Sequence, residues 1–369
     1  MILGIDTSTH FEELQKGAKY FLDGKEINPL EAFRSNNVSV MRIRVWNNPY
    51  DEEGNPYLAG TCDVNNFLKL AKLARSLGYE ILLDLHYSDF WADPAKQTCP
   101  KAWVGKSFEE IEECVYEFTK EVLAKAKSQG IDISYIQIGN EITNGMVWPY
   151  GKLDISVSPR TGYENLTRLL KSGIKGAKEI FKDIKIIIHL ERSFDQVTYR
   201  EYFENLRKFG VNYDIIGMSY YPYWHGTFDE FFANVEMCKK EFNKEIFIME
   251  TSFAFTTKDY LIEEGKDPQL VINEKNEDEL SQKLPYPMTI EGQEDYVKEL
   301  IRLSKVHGIG AIFYWEPCWI PGEGICWSSP SSQKYIHEEG KEYRNEWCNQ
   351  CLFDYEGNAL PGFSAYKLD

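Results

Sequence analysis

Tyr135-Ile136-Gln137-Ile138-Gly139-Asn140-Glu141 decides how this chain is read. An apolar run of strand length gives way, at a glycine, to an amide and a carboxyl. The same design recurs outward in both directions. Runs at 2–6, 38–46, 80–86, 135–141, 184–190, 214–220, 245–250 and 309–315 are rich in Ile, Val, Leu and aromatics. Near-continuous apolar runs of this kind suit parallel strands buried on both faces. Helical spacing fills the gaps: Phe67, Leu70, Ala71, Ala74 and Leu77 follow Asp63, a suitable N-cap, and stop at Gly78. Phe118, Val122 and Ala126 recur before Gly130, and Tyr296, Leu300 and Leu303 before Gly308. Eight strands alternating with helices predict right-handed crossovers and an α/β fold closed as a (β/α)₈ TIM barrel. The rival, a doubly wound open sheet, calls for a Gly-rich phosphate loop after its first strand, and the sequence has none there. No linker divides the chain, so 1–369 reads as one domain, with elaborated loops at 252–290 and 317–350 after strands seven and eight.

Bulk composition narrows the partners. Lys and Arg number 41 against 58 Asp and Glu, a formal charge of −17. A surface this acidic argues against nucleic acid or an anionic membrane as the main partner. No run of about 18 apolar residues is present, so no helix is expected to span a bilayer. Met1-Ile2-Leu3-Gly4-Ile5-Asp6 enters a strand pattern without the basic, apolar and cleavage segments of a leader. The expectation is a cytoplasmic monomer needing no cofactor, or a secreted one whose signal has been removed. Aromatics make up 14% of the chain; they suit a sugar cleft, although a large core absorbs most of them. Eight cysteines include Cys348-x-x-Cys351, which has no second pair or histidine pair to complete a zinc site. These read as unpaired or locally bridged thiols.

A barrel predicts catalytic groups at the C-terminal ends of its strands. Those ends are loaded here: Arg42-Ile43-Arg44-Val45-Trp46, Asp84-Leu85-His86 with Asp89 and Trp91, Asn140-Glu141, His189-Leu190-Glu191, Ser219-Tyr220-Tyr221, Glu250-Thr251 and Trp315-Glu316. Charges drawn into one cleft must be paired or functional. Glu141 and Glu250 stand out, since glycosidic hydrolysis takes two carboxyls, one to protonate the leaving oxygen and one to attack or activate water. Asn140 is placed to bind a sugar hydroxyl, Arg44 to hold Glu250 ionised, and a strand-six tyrosine to assist. The competing reading makes both glutamates structural partners of arginines.

These stretches resemble glycoside hydrolase family 53, the endo-β-1,4-galactanases, over nearly the whole chain. The likeness lies in Gly4-Ile5-Asp6-Thr7-Ser8, Arg44-Val45-Trp46-Asn47-Asn48-Pro49, the run from Asp84 to Gln97 with Pro100-Lys101-Ala102-Trp103, Gln137 to Ile142 with Trp148-Pro149-Tyr150-Gly151, Ser219 to Gly226, and Tyr314-Trp315-Glu316-Pro317. The resemblance implies cleavage of internal β-1,4 linkages in galactan, the side chain of type I arabinogalactan, with retention of configuration. It makes Glu141 the acid/base and Glu250 the nucleophile. It places Asp6, Arg44, Trp46, His86, Asp89, Trp91, Asn140, His189, Tyr221 and Trp315 about the substrate, Trp91 and Trp315 as stacking platforms.

Two departures stand beside the likeness. Thr251-Ser252-Phe253 follows Glu250 where the family commonly has tyrosine and proline. The stretch from Asp259 to Pro268 lacks the alternating oxygen ligands of a calcium loop, so no metal is expected there. The segment from Gly322 to Trp347 reads as an insertion able to reshape the cleft. Action on short galacto-oligosaccharides or another β-glycan, and a non-catalytic sugar-binding barrel, are the alternatives.

Overall fold

The computed structural model describes residues 1–261, 268–340 and 342–368. Eight strands, β1 Ile2–Asp6, β2 Val40–Val45, β3 Glu80–Leu85, β4 Tyr135–Ile138, β5 Lys185–Leu190, β6 Ile215–Ser219, β7 Glu245–Thr251 and β8 Ala311–Trp315, pair in sequence order and close on themselves. Every neighbouring pair is parallel; β1 registers Asp6 against Arg42 on one side and against Trp315 on the other. The main helices outside the barrel are α1 Pro29–Ser35, α2 Val64–Ser76, α3 Phe108–Ser128, α4 Tyr163–Ile180, α5 Gln196–Lys208, α6 Phe228–Phe242, α7 Ile290–Val306 and α8 Pro361–Ala365.

The sequence explains where these helices begin and which face they bury. Asp63 accepts from the Asn66 amide to cap α2, while Ser107 with Glu110 and Thr227 with Glu230 form capping boxes on α3 and α6. On α2 the buried residues are Phe67, Leu68, Leu70, Ala71 and Ala74, one apolar stripe turned to the strands. Helices α3 and α4 pack closely because Gly176 has no side chain; a Cβ there would sit 2.6 Å from the Tyr116 carbonyl oxygen. Among the described residues no helix is long and apolar enough to cross a membrane.

Inside the barrel, Val40, Leu82, Ile187, Ile215, Phe247, Met249, Ala311 and Phe313 fill the lower half. The ring of Phe313 lies where a Cβ on Gly4 would be, which is why β1 carries glycine at that level. The lower half is therefore plugged, and the barrel interior opens at its C-terminal mouth. Several strands end sooner than their apolar runs. β4 stops at Ile138 because Gly139 turns the chain with a φ of 80°. All eight cysteines are free thiols rather than bridged ones, and seven are buried.

Candidate active site

Side chains on a strand alternate between faces, so residues two apart point into the barrel together. That rule carries Asp6, Arg42, Arg44, Asp84, His86, His189, Glu191, Ser219, Tyr221 and Trp315 to the inside, above the apolar plug. Glu250 breaks the alternation, since Phe247 and Met249 already point inward. A register shift between β6 and β7 pairs Met218 with Ile248 but Ser219 with Glu250, and this bulge brings Glu250 to the inner side. Glu141 reaches the mouth by a different device. It sits beyond the end of β4 in left-handed backbone, φ 47° and ψ 50°, a conformation that costs a non-glycine residue about 1–2 kcal/mol.

The two carboxyls converge. One oxygen of Glu141 and one of Glu250 lie within 4.8 Å of each other, with a ring nitrogen of His189 inside the same sphere. Carboxyl pairs about 5–5.5 Å apart serve retaining hydrolysis, whereas inverting enzymes hold theirs roughly 6.5–9.5 Å apart. The pair belongs to the short class. Both nitrogens of His189 are engaged, with Asn140 and with Ser219, so the trio presents no free imidazole for a cation. The calcium-loop expectation falls mostly on 262–267, outside the described residues.

Both carboxyls are raised by their surroundings, but their neighbours differ. Burial raises Glu141 well above the ordinary carboxylate range, and the nearby charges of Glu250, Glu191 and Asp93 push the same way. Burial also raises Glu250; Arg42 pulls it back, Asp84 and Asp6 push it up again, and the net direction stays upward. Arg42 donates to Glu250 at 2.9 Å, to Asp6 at 2.9 Å and to Asp84 at 2.8 Å. Tyr221 adds its hydroxyl to Glu250 Oε2 at 3.0 Å. Among the described residues Glu141 has no cationic hydrogen-bond partner, whereas Glu250 is held by Arg42, and unequal surroundings of this kind let two carboxyls take separate roles.

The cleft above them has a volume of about 240 Å³, near the lower edge of the roughly 300–1,000 Å³ usual for small-molecule sites. Trp91, Trp224, Trp315, Trp327 and Trp347 line it with Glu141, Glu191, Tyr221, His86 and Glu250. Trp91 and Trp327 stack with ring centroids 4.5 Å apart and 5° between planes.

The sequence model of glycosyl hydrolase family 53 matches residues 2–366. The chain belongs to this family. Endo-β-1,4-galactanase from Bacillus subtilis (strain 168) is 32% identical over 387 residues, covering 99% of this chain and 85% of its own. A Niallia circulans protein described only by its place in the bgaB 5′ region is 34% identical over 372 residues, covering 99% and 93%. Among solved structures, the Ignisphaera aggregans family 53 catalytic domain superposes with a TM-score of 0.87 at 35% identity, covering 100% of this chain and 95% of its own. A structure of fungal β-1,4-galactanases gives 0.77 at 26% identity, covering 99% and 98%. Membership of this glycosidase family accounts for the barrel.

Within the family 53 barrel the expected residues divide into two layers. His86, Trp91, Asn140, Tyr221, Trp315 and Arg44 line the cleft with the two glutamates. Asp6, Trp46, Asp89 and His189 stand behind it, each 0% exposed. Asp6 receives Arg42, and the Trp46 indole donates to His86 Nδ1 at 3.3 Å. Asp89 accepts the backbone amides of Asn48 and Lys101, tying two loops together. The expected partnership of Arg44 with Glu250 is replaced: Arg42, one inward position deeper, holds Glu250, and Arg44 pairs with Glu316 while lying over Trp91 at 4.2 Å. Both arginines point inward, and alternation alone does not rank their depth. Ser219, Glu191, Trp327 and Trp347 are additions. The first two were legible as inward neighbours of Tyr221 and His189; the tryptophans arrive on an insertion whose path no local pattern encodes.

Proposed function

We propose that this chain hydrolyses β-1,4-galactosidic bonds in galactan by double displacement, Glu141 serving as general acid and base and Glu250 as nucleophile. The reading rests on one observation above the rest: two carboxyls within 4.8 Å of each other, one without a cationic hydrogen-bond partner among the described residues and one held by Arg42. In the first step Glu250 attacks the anomeric carbon as Glu141 gives its proton to the leaving oxygen. In the second, water attacks the glycosyl-enzyme ester and returns a proton to Glu141. Tyr221 and Arg42 hold Glu250 in its charged form until the ester forms.

The cleft lining supports a sugar as the ligand. Indole faces stack on the apolar faces of pyranose rings, and Trp91, Trp224, Trp315, Trp327 and Trp347 line the cleft. Galactan is favoured by the two galactanase relatives. The test is a time-resolved product profile on β-1,4-galactan beside β-mannan, β-xylan and β-glucan. Mid-length galacto-oligosaccharides appearing first on galactan alone support the reading. Faster action on another glycan overturns it, and release of single galactose units shows an enzyme of chain ends.

A further inference from the structure

His189 and Ser219 stand between the buried network and Glu141, and the hydrogens along that line can be assigned in turn. The Arg42 guanidinium only donates. It contacts Gln137 Oε1 at 3.2 Å and Asn140 Oδ1 at 2.9 Å, which fixes both as oxygens. Gln137 Nε2 then donates to Asp84 Oδ1 at 2.6 Å and Asn140 Oδ1 at 2.9 Å, and Asn140 Nδ2 donates to the Ala92 carbonyl at 2.8 Å. Neither amide can be turned over without setting donor against donor. His189 Nδ1 lies 3.1 Å from Asn140 Oδ1, so Nδ1 carries a hydrogen. Burial and the facing cation Arg42, with His86 and His225 adding to it, keep the ring neutral, which leaves Nε2 bare. Nε2 is 2.8 Å from Ser219 Oγ and takes that hydroxyl's one hydrogen. Ser219 Oγ lies 2.6 Å from Glu141 Oε1, close enough to donate to an ionised carboxylate, but with its hydrogen committed to His189 it offers only lone pairs and suits a protonated Glu141.

We propose that Ser219 and His189 are positioning residues that hold the proton of Glu141, Ser219 accepting it from the carboxyl while His189 keeps the serine hydroxyl turned away. The proposal rests on Glu141 being the general acid. Every link is satisfied while Glu141 is protonated. Once the proton passes to the leaving oxygen, the new carboxylate and His189 Nε2 compete for a single hydroxyl hydrogen, and one acceptor goes without. Water attack on the ester restores the chain: the water oxygen bonds to the anomeric carbon, the bond from that carbon to Glu250 breaks with its electron pair leaving on the Glu250 carboxylate, and one water proton returns to Glu141. The charged groups facing Glu141 act in the same sense: Glu250 on β7, Glu191 at the end of β5 and Asp93 after β3 all favour the proton.

The proposal fixes a tautomer and a sign. In ¹⁵N-histidine-labelled protein at a pH where the enzyme is active, His189 is expected to show a protonated Nδ1 and an unprotonated Nε2; the opposite tautomer, or an imidazolium, overturns the proposal. In Ser219→Ala the alkaline limb of kcat/KM on a galacto-oligosaccharide moves down by about half a pH unit or more, the worth of one net hydrogen bond to the acid form. If Ser219 instead donated to an ionised Glu141, its removal would move that limb up; an upward or absent shift overturns the proposal. Glu141→Gln separates the two claims. Equal slowing of activated and poor leaving groups removes Glu141 as acid and leaves the tautomer as observed, whereas a wrong tautomer leaves the acid assignment standing.

Discussion

Arg42→Met removes the one cation that three buried carboxylates share. Asp6 and Asp84 are fully buried and Glu250 nearly so, and each lies within 2.9 Å of the guanidinium. Deleting one partner of a buried ion pair typically costs about 3–5 kcal/mol, because the other charge stays behind unpaired. Here the lower part of that range is expected: Asp6 keeps Arg44 at 3.6 Å and Asp84 keeps His86 at 3.1 Å. A loss of about 3 kcal/mol is a large share of the roughly 5–15 kcal/mol that holds a domain folded, so urea unfolding followed by circular dichroism should move clearly to lower denaturant. The catalytic effect has a definite sign. Arg42 pulls Glu250 down against burial; without it Glu250 takes a proton at higher pH, and the acidic limb of kcat/KM moves up. Arg42→Lys keeps the charge but loses the fork, so its limb moves less while its turnover still falls. A methionine variant that unfolds at the wild-type urea concentration and keeps the wild-type acidic limb would refute the assignment of Arg42 as Glu250's counter-charge.

Other expectations follow from the same geometry. Tyr221→Phe removes a hydrogen bond to Glu250, so kcat/KM should fall about ten- to a hundredfold with thermal unfolding nearly unchanged; an unchanged kcat/KM contradicts this. Burial and the neighbouring Glu316 push Glu13 up to about 8. Between an unfolded value near 4.5 and that folded value only the folded chain keeps the proton, so stability declines as pH rises through this window. Melting temperatures from about pH 5 to about pH 9 should drop more steeply in wild type than in Glu13→Gln, and parallel curves would show that Glu13 carries no such proton.

The architecture was legible because each strand had to be apolar on both faces and each helix on one. The eight runs and the caps at Asp63, Gly78 and Gly130 recur in place. Glu141 and Glu250 were legible as charges that terminate such runs, but the devices that aim them were not. A bulge at Glu250 and left-handed backbone at Glu141 depend on neighbouring strands rather than local sequence. Arg42 rather than Arg44 holds Glu250, although both share one face of β2. Depth is set by register, with Asp6 level with Arg42, and register is tertiary information. The insertion from Gly322 to Trp347 was legible as a segment able to reshape the cleft, but that Trp327 and Trp347 are the rings that line it depends on how the chain folds back over the barrel mouth.

The central claim is that Glu250 bonds covalently to the sugar while Glu141 serves the proton. Its most direct test is to incubate the enzyme with an activated 2-deoxy-2-fluoro-β-galactoside, digest it and map the added mass. One fluorogalactosyl adduct is expected on the peptide containing Glu250, formed more slowly in Arg42→Lys. An adduct on Glu141 or Glu191, or hydrolysis that releases the α-anomer first with no adduct at all, would contradict it.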